Sequence, residues 1–174
     1  MTSRPAEPLG PIVSSRHLAS GAMPALSEFE FGLILASHAF ERWMVRCAAA
    51  AGMPNLSPLD VLVLHNVNHR GKPKTLADIV LVLNVEDTHL VNYAIKKLAR
   101  MGLVAPGRAG KEKTVAITAE GEAVCLKYRE IREALLVKAI NSTSIDHLGL
   151  SEIAATLRAV SGHYDQAARA AASL

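Results

Sequence analysis

Apolar residues recur at three- and four-residue intervals over most of the chain, and residues that open or close helices interrupt them. Phe29, Leu33, Ala36, Phe40, Trp43 or Met44, and Cys47 fall on one helical face, which Gly52 and Pro54 bring to an end. Ser27 with Glu30 three residues later has the spacing of a capping box and predicts the start of this helix. A helix over 27–50 is roughly 35 Å long, more than a three-helix core covers, so part of its apolar face needs a partner. Ser57, Pro58 and Asp60 open a second helix carrying Leu59, Leu62, Val63 and Val67. Thr75 and Asp78 open a short third one that buries Leu76, Ile79, Val80 and Leu83 and stops at Asn84. An Asp87 cap starts a fourth, through Val91, Ala94, Ile95 and Leu98 to a closing Gly102.

The period then changes. Residues 103–105 and 114–117 are short strand candidates around a glycine-rich basic tip at 106–113, the pattern of a hairpin. Thr118 caps a long helix to about Ile140, 141–150 reads as loop, and Ser151 with Glu152 opens a last helix carrying Ile153, Leu157, Val160, Tyr164, Ala167, Ala168 and Ala171. Residues 1–26 hold prolines 5, 8, 11 and 24 and read as an extended arm. The expected fold is mainly α with a small β-hairpin. It divides into an arm (1–26), a long N-terminal helix (27–56), a module of short helices and the hairpin (57–118) and C-terminal helices (119–174).

Composition narrows the class. With 174 residues, 50% of them hydrophobic, the chain can bury a core without a disulfide or metal staple. Two lone cysteines, Cys47 and Cys125, make no disulfide framework and point to a reducing, cytoplasmic setting. The arm has no unbroken apolar h-region and no stretch reaches 18 uncharged apolar residues, so neither a signal peptide nor a membrane span is expected. The net charge is only +3, but it is unevenly spread. From His69 to Lys113 nine basic residues face four acidic ones, a balance of +5, against ten and twelve, or −2, elsewhere. A basic middle between near-neutral flanks suits contact with a polyanion.

Three short helices and a basic hairpin are the order of a winged helix-turn-helix, whose second helix enters the major groove of double-stranded DNA. With its apolar residues inward, the fourth helix turns Thr88, His89, Asn92, Tyr93 and Lys96 outward. Asn92 suits an adenine edge, Thr88, His89 and Tyr93 the neighbouring bases, and Lys96 a phosphate. Lys74 and the helix start at Thr75 can hold another phosphate, while Arg108, Lys111 and Lys113 on the hairpin reach the backbone or minor groove. Glu86 and Asp87 count against this: Asp87 is explained as a cap, but an outward Glu86 repels phosphate.

The run TLADIVLVLNVEDTHLVNYAIKKLARMGLV, a basic hairpin and then ITAEG at 117–121 resembles the multiple-antibiotic-resistance regulator (MarR) family of bacterial transcription factors. The resemblance rests on Leu98 to Val104, matching a leucine-x-x-x-glycine-leucine-valine stretch, and on Ile117 to Gly121. It implies an obligate homodimer with interlocked terminal helices and two winged modules on the half-sites of a palindrome. The surplus apolar surface of the first and last helices agrees. Family wings usually carry an aspartate that orients the wing arginine; here the tip is Gly107-Arg108-Ala109-Gly110-Lys111, so Lys111 or Lys113 stands in. By analogy a small-molecule effector would lodge near His38, Phe40, Trp43 and Tyr128, although core packing also explains Phe40 and Trp43.

Two other readings remain: a winged-helix protein-interaction module without specific DNA binding, and a metal- or thiol-responsive sensor. His65 and His69 lie four apart without an acidic or cysteine partner, so no metal site and no cofactor is expected. No nucleophile triad, P-loop or paired-carboxylate pattern is present, and an enzyme is not expected.

Overall fold

The computed structural model describes residues 10–174, so the first nine residues of the expected arm lie outside it. The chain divides into two units, one ending at Tyr128 and the other covering Arg129–Leu174.

The first unit opens on a short helix α1 (Arg16–Ala19) and the long α2 (Pro24–Ala50). Helix α2 starts three residues before the expected capping box. Pro24 occupies its first turn, where a missing N–H costs nothing. Ser27 is no cap: it is buried, and its hydroxyl donates to the Leu18 carbonyl at 2.8 Å, tying α1 to α2. The arm is therefore partly helical.

Helices α3 (Pro58–Asn68) and α4 (Leu76–Leu83) begin as expected. In each a reciprocal capping box satisfies two orphan backbone donors, Ser57 with Asp60 and Thr75 with Asp78. Asn84 closes α4 in the left-handed conformation, and α5 (Thr88–Arg100) follows. Gly102 (φ +74°) ends α5, turning the chain into the sheet.

That sheet has three antiparallel strands rather than the two of the expected hairpin. Strands β2 (Val104–Ala109) and β3 (Glu112–Ile117) pair from Val104↔Ile117 to Ala109↔Glu112, well beyond the strand candidates in the sequence. Pro106 does not break β2 because the strand order β1-β3-β2 leaves it at an edge. The added strand β1 (Lys74–Thr75) precedes α4 and pairs Lys74↔Val115 and Thr75↔Thr114.

The core lies where α3, α4, α5 and the sheet meet. Val61, Val63, Leu64, Val67, Ile79, Val91, Leu98 and Leu103 are fully buried there. Helix α6 (Ala119–Arg132) leaves the sheet through Thr118, whose Oγ1 lies 2.7 Å from the Gly102 carbonyl and 2.9 Å from that of Leu103 and accepts the Gly121 N–H. Gly121 packs so closely on Leu103 that a Cβ there would overlap its carbonyl oxygen.

In the second unit α6 continues through a π-helical turn (Glu133–Val137) into α7 (Lys138–Asn141), and α8 spans His147–Ala171. The last helix starts four residues before the expected Ser151, because the Asp146 side chain accepts the Gly149 N–H and caps it there. The loop is correspondingly shorter, 142–146. No residue from 129 to 174 is buried in the single chain, although Leu135, Ile145, Leu148, Leu150, Ile153, Leu157 and Tyr164 are apolar or aromatic.

Candidate nucleic-acid interface

Helix α5 is the most amphipathic element of the winged module. Val91, Ala94 and Leu98 anchor it in the core, with Ile95 half-buried beside them. The opposite stripe carries His89, Tyr93, Lys96 and Arg100 in the open, with Thr88 exposed at the start and Asn92 half-buried at the edge. Asp87 Oδ1 accepts the His89 N–H at 2.8 Å, so its charge is set on the positive end of the helix. Glu86 is exposed beside it.

Between α5 and the wing lies a cavity of about 640 Å³. Its floor is apolar, with Leu76, Ile95, Ala99, Pro106 and Val115, and its rim carries Asn92, Tyr93 and the cations Lys74, Lys96, Arg100 and Lys113. Strand β1 and helices α4 and α5 thus bring to one groove residues that the sequence scatters over 74–115. Arg100 joins this lining although the outward stripe read from the sequence stops at Lys96; the four-residue spacing between the two is the signal that places them on one face.

The wing residues fall out as follows. Arg108 and Lys113 are direct cross-strand partners, and Lys111 follows Gly110 (φ +60°) in the two-residue turn. Two cations opposite one another repel unless an anion lies between them. At the other end of the groove Lys74 Nζ donates to the His69 carbonyl at 2.7 Å. Thr75 is occupied by its capping box: its N–H donates to Asp78 Oδ2 and its Oγ1 accepts the Asp78 N–H. The Thr75 N–H and then its side chain, with Lys74 beside them, hold the Asp78 carboxyl below its ordinary range.

The residues expected to line an effector cleft are differently placed. His38 and Phe40 are exposed on α2, and Trp43 is half-buried. Tyr128 is buried with its ring edge-on to His65, centroids 4.6 Å apart, and its carbonyl takes the Cys47 thiol at 3.6 Å. Burial pushes the His65 imidazole below its usual range. Among the described residues no group of three His, Cys, Asp or Glu side chains could hold a metal ion. Burial also raises both thiols, that of Cys125 to about 11 with Glu122 adding to the effect. A thiol so raised is almost wholly protonated near neutrality and is a poor redox sensor. Among the described residues no helix is long and apolar enough to cross a membrane.

Comparison with known proteins bears on this geometry. Residues 56–121 match the model of a winged helix DNA-binding domain. No curated protein matches the chain. Among solved structures, a MarR-family transcriptional regulator from Rhodococcus sp. RHA1 superposes with a TM-score of 0.64 at 14% identity, covering 81% of this chain and 95% of that one. CouR from Rhodococcus jostii RHA1, bound to p-coumaroyl-CoA, gives 0.65 at 15% identity over 84% and 95%. A MarR-family regulator from Neisseria meningitidis gives 0.63 at 17% over 82% and 95%. Residues 56–121 therefore match a winged helix DNA-binding domain, and the chain has the fold seen in the MarR-family transcriptional regulators.

Proposed function

We propose that this protein is a cytoplasmic, homodimeric transcriptional regulator, not an enzyme, that reads a pseudo-palindromic DNA site. The observation that carries the reading is the groove between α5 and the wing, where Lys74, Lys96, Arg100 and Lys113 rim an apolar floor beside the exposed stripe of α5. A DNA strand supplies the matching pattern: phosphates for the cations, deoxyribose for the floor, base edges for Asn92, His89, Thr88 and Tyr93. Arg108 and Lys113, opposed across the wing, gain a shared anion when a phosphate lies between them.

Dimerisation is supported by the apolar side chains left open on α2, among them Leu33, Ile34, Leu35 and Phe40, and on α8. A monomer in water rarely leaves that much apolar surface uncovered. A twofold axis relating two recognition helices makes the DNA site a palindrome. A small ligand lodged near His38, Phe40, Trp43 and Tyr128 would regulate binding by favouring one spacing of those helices. CouR, the similar structure that holds p-coumaroyl-CoA, supports an effector of some kind.

A protein-interaction module is the rival reading, favoured by Leu81 and Val82, which stand 80% and 67% exposed on α4, and by Glu86. Two variants separate them. Asn92→Ala is expected to cost about 1–3 kcal/mol at one base position, whereas Lys113→Ala weakens all sequences alike and lowers the salt slope by about one. If neither variant changes DNA affinity, the interface is not this groove.

A further inference from the structure

Lys97 lies on the recognition helix and is basic, which would ordinarily assign it to a phosphate. Its ammonium is turned the other way. Lys97 Nζ donates to Asp60 Oδ2 and to the Asn55 carbonyl, each at 2.6 Å. Asp60 is 2% exposed, and the same Oδ2 accepts the Ser57 N–H at 2.7 Å. Ser57 Oγ in turn accepts the Asp60 N–H at 3.2 Å. The carboxylate that caps α3 is thus also the counter-ion of α5.

This junction does what apolar packing alone does not. Val91, Ala94 and Leu98 hold α5 against the core, but apolar contact is non-directional and fixes the distance of a helix better than its rotation. An ammonium held by two acceptors on the start of α3 fixes the angle. Side chains reach roughly 5–6 Å from a helix axis, so a rotation of about 20° carries their tips about 2 Å sideways. Base readout needs placement to about 0.5 Å. The residues so displaced are His89, Asn92, Tyr93 and Lys96.

We infer that Lys97 is a positioning residue for base readout: its pairing with Asp60 sets the rotation of α5 and through it the sequence discrimination, while Lys97 itself contributes no phosphate contact. The inference rests on the DNA-binding reading above and assigns a role within it.

The test compares wild type, Lys97→Arg and the double variant Asp60→Asn/Lys97→Met, the last removing both charges so that neither is stranded in the interior. Each is titrated by fluorescence anisotropy against duplex from the protein's own upstream region and a scrambled duplex, over a salt series, well below its own melting temperature. The double variant is expected to lose roughly tenfold or more of the own-to-scrambled affinity ratio, a change on the scale of one mismatched base pair. Its affinity for scrambled duplex and its salt slope stay at the wild-type values, and Lys97→Arg, which keeps the charge and a donor fork, keeps the ratio. A salt slope reduced by about one would show Lys97 on a phosphate and overturn the inference. So would an unchanged ratio accompanied only by a lower melting temperature, the mark of a merely structural pair. Should the double variant not fold, Lys97→Gln takes its place: loss of the own-to-scrambled ratio at an unchanged salt slope supports the inference, and an unchanged ratio overturns it. Wild type that fails to discriminate between the duplexes overturns the DNA-binding reading itself, a result separable from the others.

Discussion

Gly121→Ala tests how α6 is seated on the wing. A Cβ at position 121 would overlap the Leu103 carbonyl oxygen and would lie 2.6 Å from Ile117 Cδ1 and 3.1 Å from the Leu103 carbonyl carbon. The oxygen cannot step aside freely, because it accepts the Thr118 N–H at 3.2 Å and has the Thr118 hydroxyl 2.9 Å away. Relief requires the first turn of α6 to lift from Leu103 by roughly 1–2 Å, the gap between that overlap and an ordinary contact of roughly 3.5 Å or more. Overpacking of this kind costs about 1–3 kcal/mol. Lifting the turn also strains the Thr118 bonds, worth about 1 kcal/mol each. The better helix propensity of alanine returns at most about 1 kcal/mol. The net expectation is a loss of about 2–3 kcal/mol, which lowers the melting temperature of a chain this size by roughly 5–10 °C. Thermal and urea unfolding followed by circular dichroism measure it. A variant as stable as wild type would refute the argument, since α6 could then leave β2 at no cost.

Arg70 holds a positive φ of 65° in the turn after α3, so Arg70→Gly is expected to raise stability by about 0.5–1 kcal/mol in urea unfolding. His65 is kept neutral by burial, so its folded pKa lies below the unfolded one. The unfolded chain takes up that proton first, and stability falls as the pH drops through 6.5. Melting temperatures at pH 7.5 and about 5.5 should show the loss, and His65→Phe, which keeps a ring against Tyr128, should reduce it. Cys125, raised from 9.0 to about 11, gives the opposite sign: the unfolded thiol ionises first, so stability falls as the pH rises from 9 towards 11. At pH 8 Cys125 in the folded protein should react with a disulfide reagent far more slowly than in urea; equal rates would contradict its burial.

The parts of the fold legible in the sequence were those fixed locally. The caps Ser57/Asp60 and Thr75/Asp78, the Asp87 start and Gly102 all act within a few residues, and each holds in the structure. What escaped depends on distant partners. Strand β1 is only two residues long and exists through its pairing with β3 some forty residues on. Ser27 has the neighbours of a cap, but its hydroxyl serves the contact with α1 instead. The reach of β2 past Pro106 follows from its edge position, which no local rule reveals. In the candidate site the outward residues of α5 were readable from helical periodicity. The groove was not, because it needs Lys74, Arg100 and Lys113 assembled from three elements. Lys97 shows the same limit: its charge was visible, while its inward pairing with Asp60, 37 residues away, was not.

The decisive measurement is fluorescence anisotropy of the purified wild-type protein on duplex DNA from its own upstream region and on a scrambled duplex, each across a salt series. A sequence-specific regulator should bind its own DNA on the order of 10³-fold more tightly. Both affinities should fall steeply with salt as counterions are released. Equal affinity for the two duplexes, or no binding of either at low salt, would contradict the assignment of this winged helix to sequence-specific DNA and leave protein interaction as its role.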